Sequence, residues 1–160
     1  VYHLEPLAVK ISGPELWHEN IRSDIPPCWD IPFSTSRWQQ GYVKIDQHIF
    51  LLVTLENKGM QEAHQYDDKF LSPDTFQWVS QNRQSINRPS GQIIKDHKSE
   101  GYTVHLFVRK KSKKPNNTAM EFTYCGDVSF IEWEGSEPIT VRWKMENPLP
   151  NHLHKPFGLI

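Results

Sequence analysis

The sequence is poor in cysteine and has no long apolar run. Its two cysteines, Cys28 and Cys125, are not part of a C-x-x-C pair. They cannot build a disulfide framework or a four-cysteine zinc site, so a reducing cytoplasm is the expected compartment. The longest apolar run covers residues 49–53, which is far short of the roughly 18 residues of a membrane-spanning helix. These absences favour a soluble, cytoplasmic protein with no membrane partner.

Motifs of common enzyme classes are missing as well. The eight histidines are scattered without an H-E-x-x-H word, and no glycine-rich phosphate loop or Ser or Cys nucleophile motif occurs. We therefore expect no cofactor, no metal and no catalytic residue. One pattern supplies an alternative, because Asp74, Asp96 and Lys98 fit the P-D…D-x-K arrangement. In such nucleases two carboxylates hold Mg²⁺ and a lysine orients water.

The net charge of -1 conceals a strongly basic stretch. Residues 81–115 contain nine basic and two acidic side chains, a local charge of +7, while the rest of the chain sums to -8. A local basic patch attracts polyanions whatever the overall charge. The stretch therefore predicts contact with nucleic acid.

Alternating apolar residues predict a β-rich chain. The clearest period-two pattern covers residues 102–109. A central strand is expected where both faces are apolar, at residues 49–55. Further predicted strands cover residues 7–11, 42–45, 121–125, 128–133 and 139–145, with a turn at Gly126-Asp127.

Helical signals are few. Proline-containing words predict short helices over residues 12–17 and 72–78. Extended or polar loops are predicted over residues 25–33 and 83–91, and an extended tail over residues 151–160. The 160 residues suit one domain. We expect an α+β, β-rich fold, built on a curved mixed sheet or partly open barrel.

The densest group of aromatic, carboxylate and amide side chains covers residues 66–83. Such groups can stack on a planar base and pair with its edge. The predicted modified-base pocket consists of Tyr66, Asp67, Trp78, Gln81 and Asn82. For Trp78, a core position is the alternative.

Two polar, basic segments flank the predicted strand at residues 102–109. Arginine, lysine, serine and amide side chains commonly contact nucleic-acid phosphates. The predicted DNA-backbone residues are Arg83, Arg88, Lys95, Lys98, Lys110, Lys111, Lys113 and Lys114. We expect them to form one cradle beside the pocket.

Five sequence words between residues 41 and 150 resemble a bacterial family of formerly unknown function. The words are YDDKFLSP at 66–73, FQWVSQN at 76–82, VHLFVR at 104–109, FTYCG at 122–126 and PITVRW at 138–143. That family commonly forms the C-terminal domain of long proteins with a phospholipase-D-type nuclease and a superfamily-two helicase. Since the chain starts at Val1, we expect a single domain cut from such a protein, with an extension at 1–40, a core at 41–150 and a tail at 151–160.

Proteins of that architecture resemble type IV, modification-dependent restriction enzymes. The resemblance implies a non-catalytic target-recognition domain that reads a modified cytosine, such as 5-methylcytosine, by base flipping. It implies a fold like that of SET-and-RING-associated, PUA-like domains. The implied partners are double-stranded DNA with a modified base and the nuclease and helicase domains of the parent chain. The sequence does not identify the residue that fills the vacated base position, and Arg83, Arg88 and the loop with Trp29 and Trp38 are the candidates.

Two alternatives to a modified-base reader stay open. The first is the metal-dependent nuclease with Asp74 and Lys98. The second is a docking module that joins the helicase to a protein partner. A reader that neutralises several phosphates should show a steep salt dependence of DNA binding, and a protein-docking module should not.

Overall fold

The computed structural model describes residues 14–56, 68–80, 86–136 and 138–159. Its strands are β1 (Glu19–Asn20), β2 (Tyr42–Ile45), β3 (His48–Thr54), β4 (Lys69–Ser72), β5 (Thr75–Val79), β6 (Thr103–Arg109), β7 (Phe122–Glu134) and β8 (Thr140–Met145). Its helices are α1 (Thr35–Trp38), α2 (Pro89–Asp96) and α3 (Asn151–His154), with 3₁₀ helices at Arg22–Asp24 and Pro26–Trp29. Within these described ranges, every helix is too short or too polar to cross a membrane.

The strands form one mixed sheet in the order β2-β3-β6-β7-β8-β5-β4, with β1 paired to the start of β7. Strands β6, β7 and β8 make an antiparallel meander. The β2–β3 hairpin joins one side of the meander through parallel pairing of β3 with β6. The β4–β5 hairpin joins the other side through β8. The predicted β-rich fold with a mixed, open sheet and short helices is therefore confirmed.

The sheet curls until its two sides meet. Tyr42 of β2 stacks on Trp78 of β5, with ring centroids 5.8 Å apart and ring planes at 26°. Strand β2 stands at one end of the strand order, and β5 is next to the other end. Contact between them therefore means that the sheet wraps around an interior, as in a partly open barrel.

Apolar side chains pack on both faces of the central strand β3. Leu51 and Val53 belong to the inner core, while Phe50 and Leu52 belong to the outer core. This double burial explains why β3 is apolar throughout, as predicted for a central strand. The outer core is completed by the preceding segment, which contributes the buried residues Ile25, Ile31 and Trp38.

The predicted helix over residues 72–78 is wrong. The segment is instead the turn and second strand of the β4–β5 hairpin. Asp74 accepts hydrogen bonds from the hydroxyls of Ser72 at 2.8 Å and Thr75 at 3.2 Å. A Ser-Pro-Asp word suits a turn as well as a helix start. Burial of Phe76 and Trp78 on the paired strand favours the hairpin.

Strand β7 is continuous where the sequence predicts two strands and a turn. Gly126 has a φ of +86°, and the pairing with β6 shifts register between Leu106 and Phe107. Glycine adopts this left-handed backbone without strain, so the strand bulges instead of reversing. As a result, Asp127 lies opposite His105 in the ladder.

Several predicted loops contain helical turns. Residues 25–33 include the 3₁₀ helix Pro26–Trp29, and the predicted loop 83–91 gives way to α2 at Pro89, because proline fits a first helical turn. The tail forms α3 and buries Phe157 in the inner core, so it is a helical cover rather than an extended one. The predicted strand at 7–11 and the start of the predicted helix at 12–17 lie outside the described residues.

Candidate functional site

A cleft of about 260 Å³ opens where the two sides of the barrel meet. One wall comes from the β2–β3 hairpin and the other from the β4–β5 hairpin. The lining includes Gly41, Tyr42, Thr54, Asp68, Trp78 and Ser80. An aromatic pair together with a carboxylate and hydroxyls is a lining that suits a planar, polar ring.

The predicted pocket residue Trp78 belongs both to this cleft and to the core. It lines the cleft but is only 4% exposed. Tyr42 stacks on the indole, and Trp143 tilts against it with centroids 6.5 Å apart. Trp78 is therefore a wall whose faces contact other aromatic rings of the protein. The sequence does not single out Tyr42, because nothing in its strand distinguishes it from a core residue.

Asp68 and Ser80 fix the second wall. The Asp68 Oδ1 accepts a hydrogen bond from the Val79 N–H at 2.8 Å. Ser80 donates its N–H to the Ile139 carbonyl and accepts the Ile139 N–H at its Oγ, both at 2.8 Å. The two ends of the β4–β5 hairpin are thus held at the cleft.

Most of the predicted pocket lies outside the described residues, as does one predicted backbone residue. These positions are Tyr66, Asp67, Gln81, Asn82 and Arg83. The first two immediately precede Asp68, and the next two immediately follow Ser80. Because consecutive Cα atoms are about 3.8 Å apart, both pairs are covalently joined to residues of the cleft wall. Their assignment to a base pocket stays a prediction.

The predicted DNA-backbone residues divide into two groups at the two ends of β6. The lysine hairpin, residues 110–121, follows β6, and the helix group, Arg88, Lys95 and Lys98, precedes it. Strand β6 has seven residues, which places the hairpin about 20 Å from the Lys98 end at roughly 3.3 Å per residue. The predicted cradle would therefore extend along the whole length of β6, and it stays a prediction.

The lysine hairpin is the group beside the cleft. Strands β3 and β6 run parallel, so they end at the same edge. Beyond Thr54, the Glu56 N–H donates to the Lys110 carbonyl at 2.8 Å. Residue 54 lines the cleft, so the cleft wall and the base of the hairpin belong to one continuous ladder.

The lysines of the hairpin differ in their ionic partners. Lys114 forms a 2.9 Å ion pair with Glu121, and Lys110 lies 3.9 Å from Glu56. Lys111 and Lys113 are exposed, and neither has an acidic partner within the described residues. The helix group is also exposed and without ion pairs in the described ranges. Lys111 and Lys113 are thus the hairpin cations best placed to meet an external anion.

Arg109, the last residue of β6, connects the hairpin to the cleft, and the sequence did not mark it as a site residue. Its Nε donates to the Thr54 Oγ1 at 2.8 Å. Its Nη1 donates to the carbonyls of Ser112 and Met120, both at 3.3 Å. Burial lowers the pKa of Arg109 to about 10, which leaves the guanidinium charged at neutral pH.

A family model described as Domain of unknown function (DUF3427) matches residues 18–157. The chain belongs to this family. The DUF3427 match includes both walls of the cleft and the lysine hairpin. It also reaches into residues 18–40, which the sequence words leave as an extension. No curated protein matches the chain.

The acidic residues of the nuclease pattern lie on separate elements of the DUF3427 domain. Asp74 is in the β4–β5 turn, where it pairs with Lys144. Hydrogen bonds from Lys144 and then Ser72 lower the pKa of Asp74 to about 2. Asp96 ends α2, and Lys98 follows it. No group of three or more His, Cys, Asp or Glu side chains in the described part of the chain could hold a metal ion.

A hydrogen-bonded histidine pair lies on the outer face of the DUF3427 sheet. His48 Nδ1 is 3.0 Å from His105 Nε2, and His105 Nδ1 is 3.2 Å from Asp127 Oδ1. A carboxylate only accepts, so His105 Nδ1 donates to Asp127, and in the neutral ring the His105 Nε2 accepts from His48. Trp29 packs against the His105 ring with centroids 4.6 Å apart. Burial and then the neighbouring His105 lower the pKa of His48.

Proposed function

We propose that this chain is a DNA-binding reader of a modified base, and that the extruded base enters the cleft between the β2–β3 and β4–β5 hairpins. The observation that carries the proposal is the cleft itself. Its volume of about 260 Å³ is just below the roughly 300–1,000 Å³ of pockets for drug-sized ligands, which suits one planar ring. Its position beside a basic hairpin supports a nucleic-acid ligand.

In the proposed complex, recognition follows from the chemistry of a flipped cytosine. Extrusion costs a few kcal/mol, and contacts in the cleft must offset this cost. A carboxylate at Asp67 accepts a hydrogen bond from the exocyclic amino group, and the amides of Gln81 and Asn82 pair with the rest of the edge. Val53, which belongs to the same core as Trp78, lines the cleft and offers the apolar contact that a 5-methyl group needs.

Phosphate contacts hold the duplex over the cleft. Lys111 and Lys113 neutralise phosphates beside the extruded nucleotide, and the helix group contacts the backbone farther away. The separation of about 20 Å corresponds to a rise of about six base pairs at roughly 3.4 Å each. In the proposal, both groups contact the backbone of one duplex.

We further propose that this is the non-catalytic targeting domain of a cytoplasmic, modification-dependent restriction enzyme of type IV. The five family words and the DUF3427 membership support this proposal. The parent chain then supplies the phospholipase-D-type nuclease and the helicase. The modification read is 5-methylcytosine or a close derivative.

The deciding experiment compares binding of matched plain, methylated and hydroxymethylated duplexes by fluorescence anisotropy. We expect tighter binding to at least one modified duplex, with log K falling steeply with log[salt]. Asp67→Asn should reduce the preference for the modified base, and Trp78→Phe should reduce it less. Equal affinity for all three duplexes would refute the reader.

Two controls separate the reader from its alternatives. Lys155→Gln removes an exposed charge from the tail and should leave the base preference unchanged. Metal-dependent cleavage of DNA by the chain, lost in both Asp74→Asn and Lys98→Gln, would favour the nuclease instead. DNA binding without salt dependence would favour the protein-docking module.

A further inference from the structure

Two half-buried arginines share one aromatic ring near the C-terminal end of β6. The guanidinium carbons of Arg22 and Arg109 lie 5.0 and 4.3 Å from the centroid of the Phe122 ring. Phe122 is fully buried, and it pairs with Asn20 of β1. The short strand β1 thus brings Arg22, from the start of the domain, to the end of β6.

Neutral groups hold both guanidinium groups in place. Arg22 Nη1 donates to the carbonyls of Trp38 at 2.6 Å and Gln40 at 3.2 Å. Arg109 is bonded to Thr54 and to two carbonyls of the lysine hairpin. Neither arginine has a carboxylate partner within the described residues. Two neighbouring positive charges are thus fixed without an anion, although a buried charge is normally paired.

The unused donors point to a ligand. A guanidinium has five N–H donors in a rigid fork. Within the described residues, Nη2 of both arginines and Nε of Arg22 have no acceptor. Burial lowers the pKa of Arg22, and burial together with Arg22 lowers that of Arg109. An anion at this position would relieve the mutual repulsion of the pair.

The position of the pair connects the cleft with the hairpin. Gln40 precedes Gly41 and Thr54 ends β3, and both Gly41 and Thr54 line the cleft. An anion held by the pair would therefore stand between the cleft and the lysines. Guanidinium forks bind phosphate oxygens in a bidentate manner.

We propose that Arg22 and Arg109 form a phosphate-binding site, and that its ligand is a backbone phosphodiester of the strand whose nucleotide enters the cleft. The identity of the ligand rests on the proposed function, while the anion site rests on the arginine pair itself. Arg109 additionally holds the lysine hairpin in register with the cleft, so one residue orders both phosphate-binding elements.

The test observes the arginines directly in the wild-type chain. The Nε–Hε resonances of Arg22 and Arg109 are followed by NMR during titration with inorganic phosphate, at ionic strength held constant with chloride. A short unmodified duplex is then added. We expect both resonances to shift with one binding curve, and the duplex to displace the phosphate.

Variants that keep the charge sharpen this test. Arg22→Lys and Arg109→Lys retain the cation but lose the fork, so each should weaken duplex binding about tenfold, equally for plain and modified DNA. In the double variant the two losses should not add, because both residues hold one phosphate. Lys155→Gln is the matched control, and circular dichroism confirms that each variant is folded.

The outcomes separate this proposal from the reader. If neither resonance responds to phosphate or duplex while modified DNA is still preferred, the arginine site is wrong and the reader stands. If phosphate binds and the duplex does not displace it, the assignment to a DNA phosphodiester is overturned. If both respond and no duplex is preferred, the arginine site stands and base reading fails.

Discussion

The two ends of β6 differ in the partners of their buried and half-buried polar side chains. At the C-terminal end, Arg109 and Arg22 are held by neutral carbonyls and an aromatic ring, without a carboxylate in the described residues. At the N-terminal end, His105 lies between its partners His48 and Asp127. At the C-terminal end the half-buried side chains carry permanent charge that lacks a counterion. At the N-terminal end the permanent charges of the helix group are exposed, and the buried His105 is already paired. The difference teaches that basic composition alone does not locate a binding surface, since charge without an internal partner is what a ligand can use.

The histidine end also includes His97, which is 3% exposed. Its Nδ1 lies 3.2 Å from the Tyr102 carbonyl, and its Nε2 accepts the Phe130 N–H at 3.3 Å. A carbonyl needs a donor and an N–H needs an acceptor, so only the neutral ring satisfies both. His97 is therefore held as the neutral ring, and protonation at acid pH should lower the stability of the folded chain.

The largest effect is expected from Gly126→Ala, which changes the bulge of β7 opposite Leu106, next to the His105–Asp127 pair. A side chain at a φ of +86° is strained, and the new Cβ would lie 2.8 Å from Leu16 Cδ2. We expect a loss of about 2 kcal/mol in the free energy of unfolding, measured by urea denaturation. Gly158→Ala is the control, because its φ of +82° is similar and its surroundings are open. Equal losses in both variants would show that contact with Leu16 costs nothing.

A smaller effect tests which end of β6 meets DNA first. Lys111→Gln with Lys113→Gln should reduce the slope of log K against log[salt] by about 1.8, since each phosphate contact contributes about 0.9. The matched pair Lys95→Gln with Lys98→Gln removes the same charge from the other end. We expect the hairpin pair to lose more affinity at a fixed salt concentration. A greater loss of affinity in the helix pair would mean that the duplex binds mainly at the N-terminal end of β6, which would contradict the proposal.

The smallest effect is a change of stability with pH. Burial lowers the pKa values of His97 and His48 in the folded chain, so the unfolded chain binds protons first as the pH falls. Their contribution is complete above about pH 6.5, the ordinary histidine value, and is lost below it. Thermal unfolding midpoints between pH 7.5 and 5 should therefore fall, and His97→Gln should flatten the profile. A profile that rises toward acid would contradict this sign.

Much of the fold could be predicted because the strands carry strong local patterns. Strand β6 alternates, and β3 is apolar on both faces, so both were recognised. The helix predicted over residues 72–78 was wrong because a Ser-Pro-Asp word occurs both at helix starts and in turns. Only the pairing of this segment with β8 makes it a strand. The turn predicted at Gly126 was wrong because glycine is common both in turns and in β-bulges, and only the partner strand distinguishes the two.

The candidate site was predictable only in part. Trp78 does line a cleft, and the predicted basic residues within the described part of the chain do reach the surface. Tyr42 and Arg22 were not found, because they reach the site through long-range contacts, with β5 in one case and β7 in the other. The lack of a counterion beside Arg109 is likewise a property of the folded chain, since acidic residues are plentiful in its sequence.

The strand order has a consequence for synthesis of the protein. The β2–β3 and β4–β5 hairpins leave the ribosome first, yet their partners β6 and β8 are made later. Until then β3 and β5 present unpaired backbone and apolar side chains to solvent, which favours edge-to-edge aggregation. We expect nascent chains truncated before residue 103 to need chaperones, and strand addition to begin only once the meander has emerged.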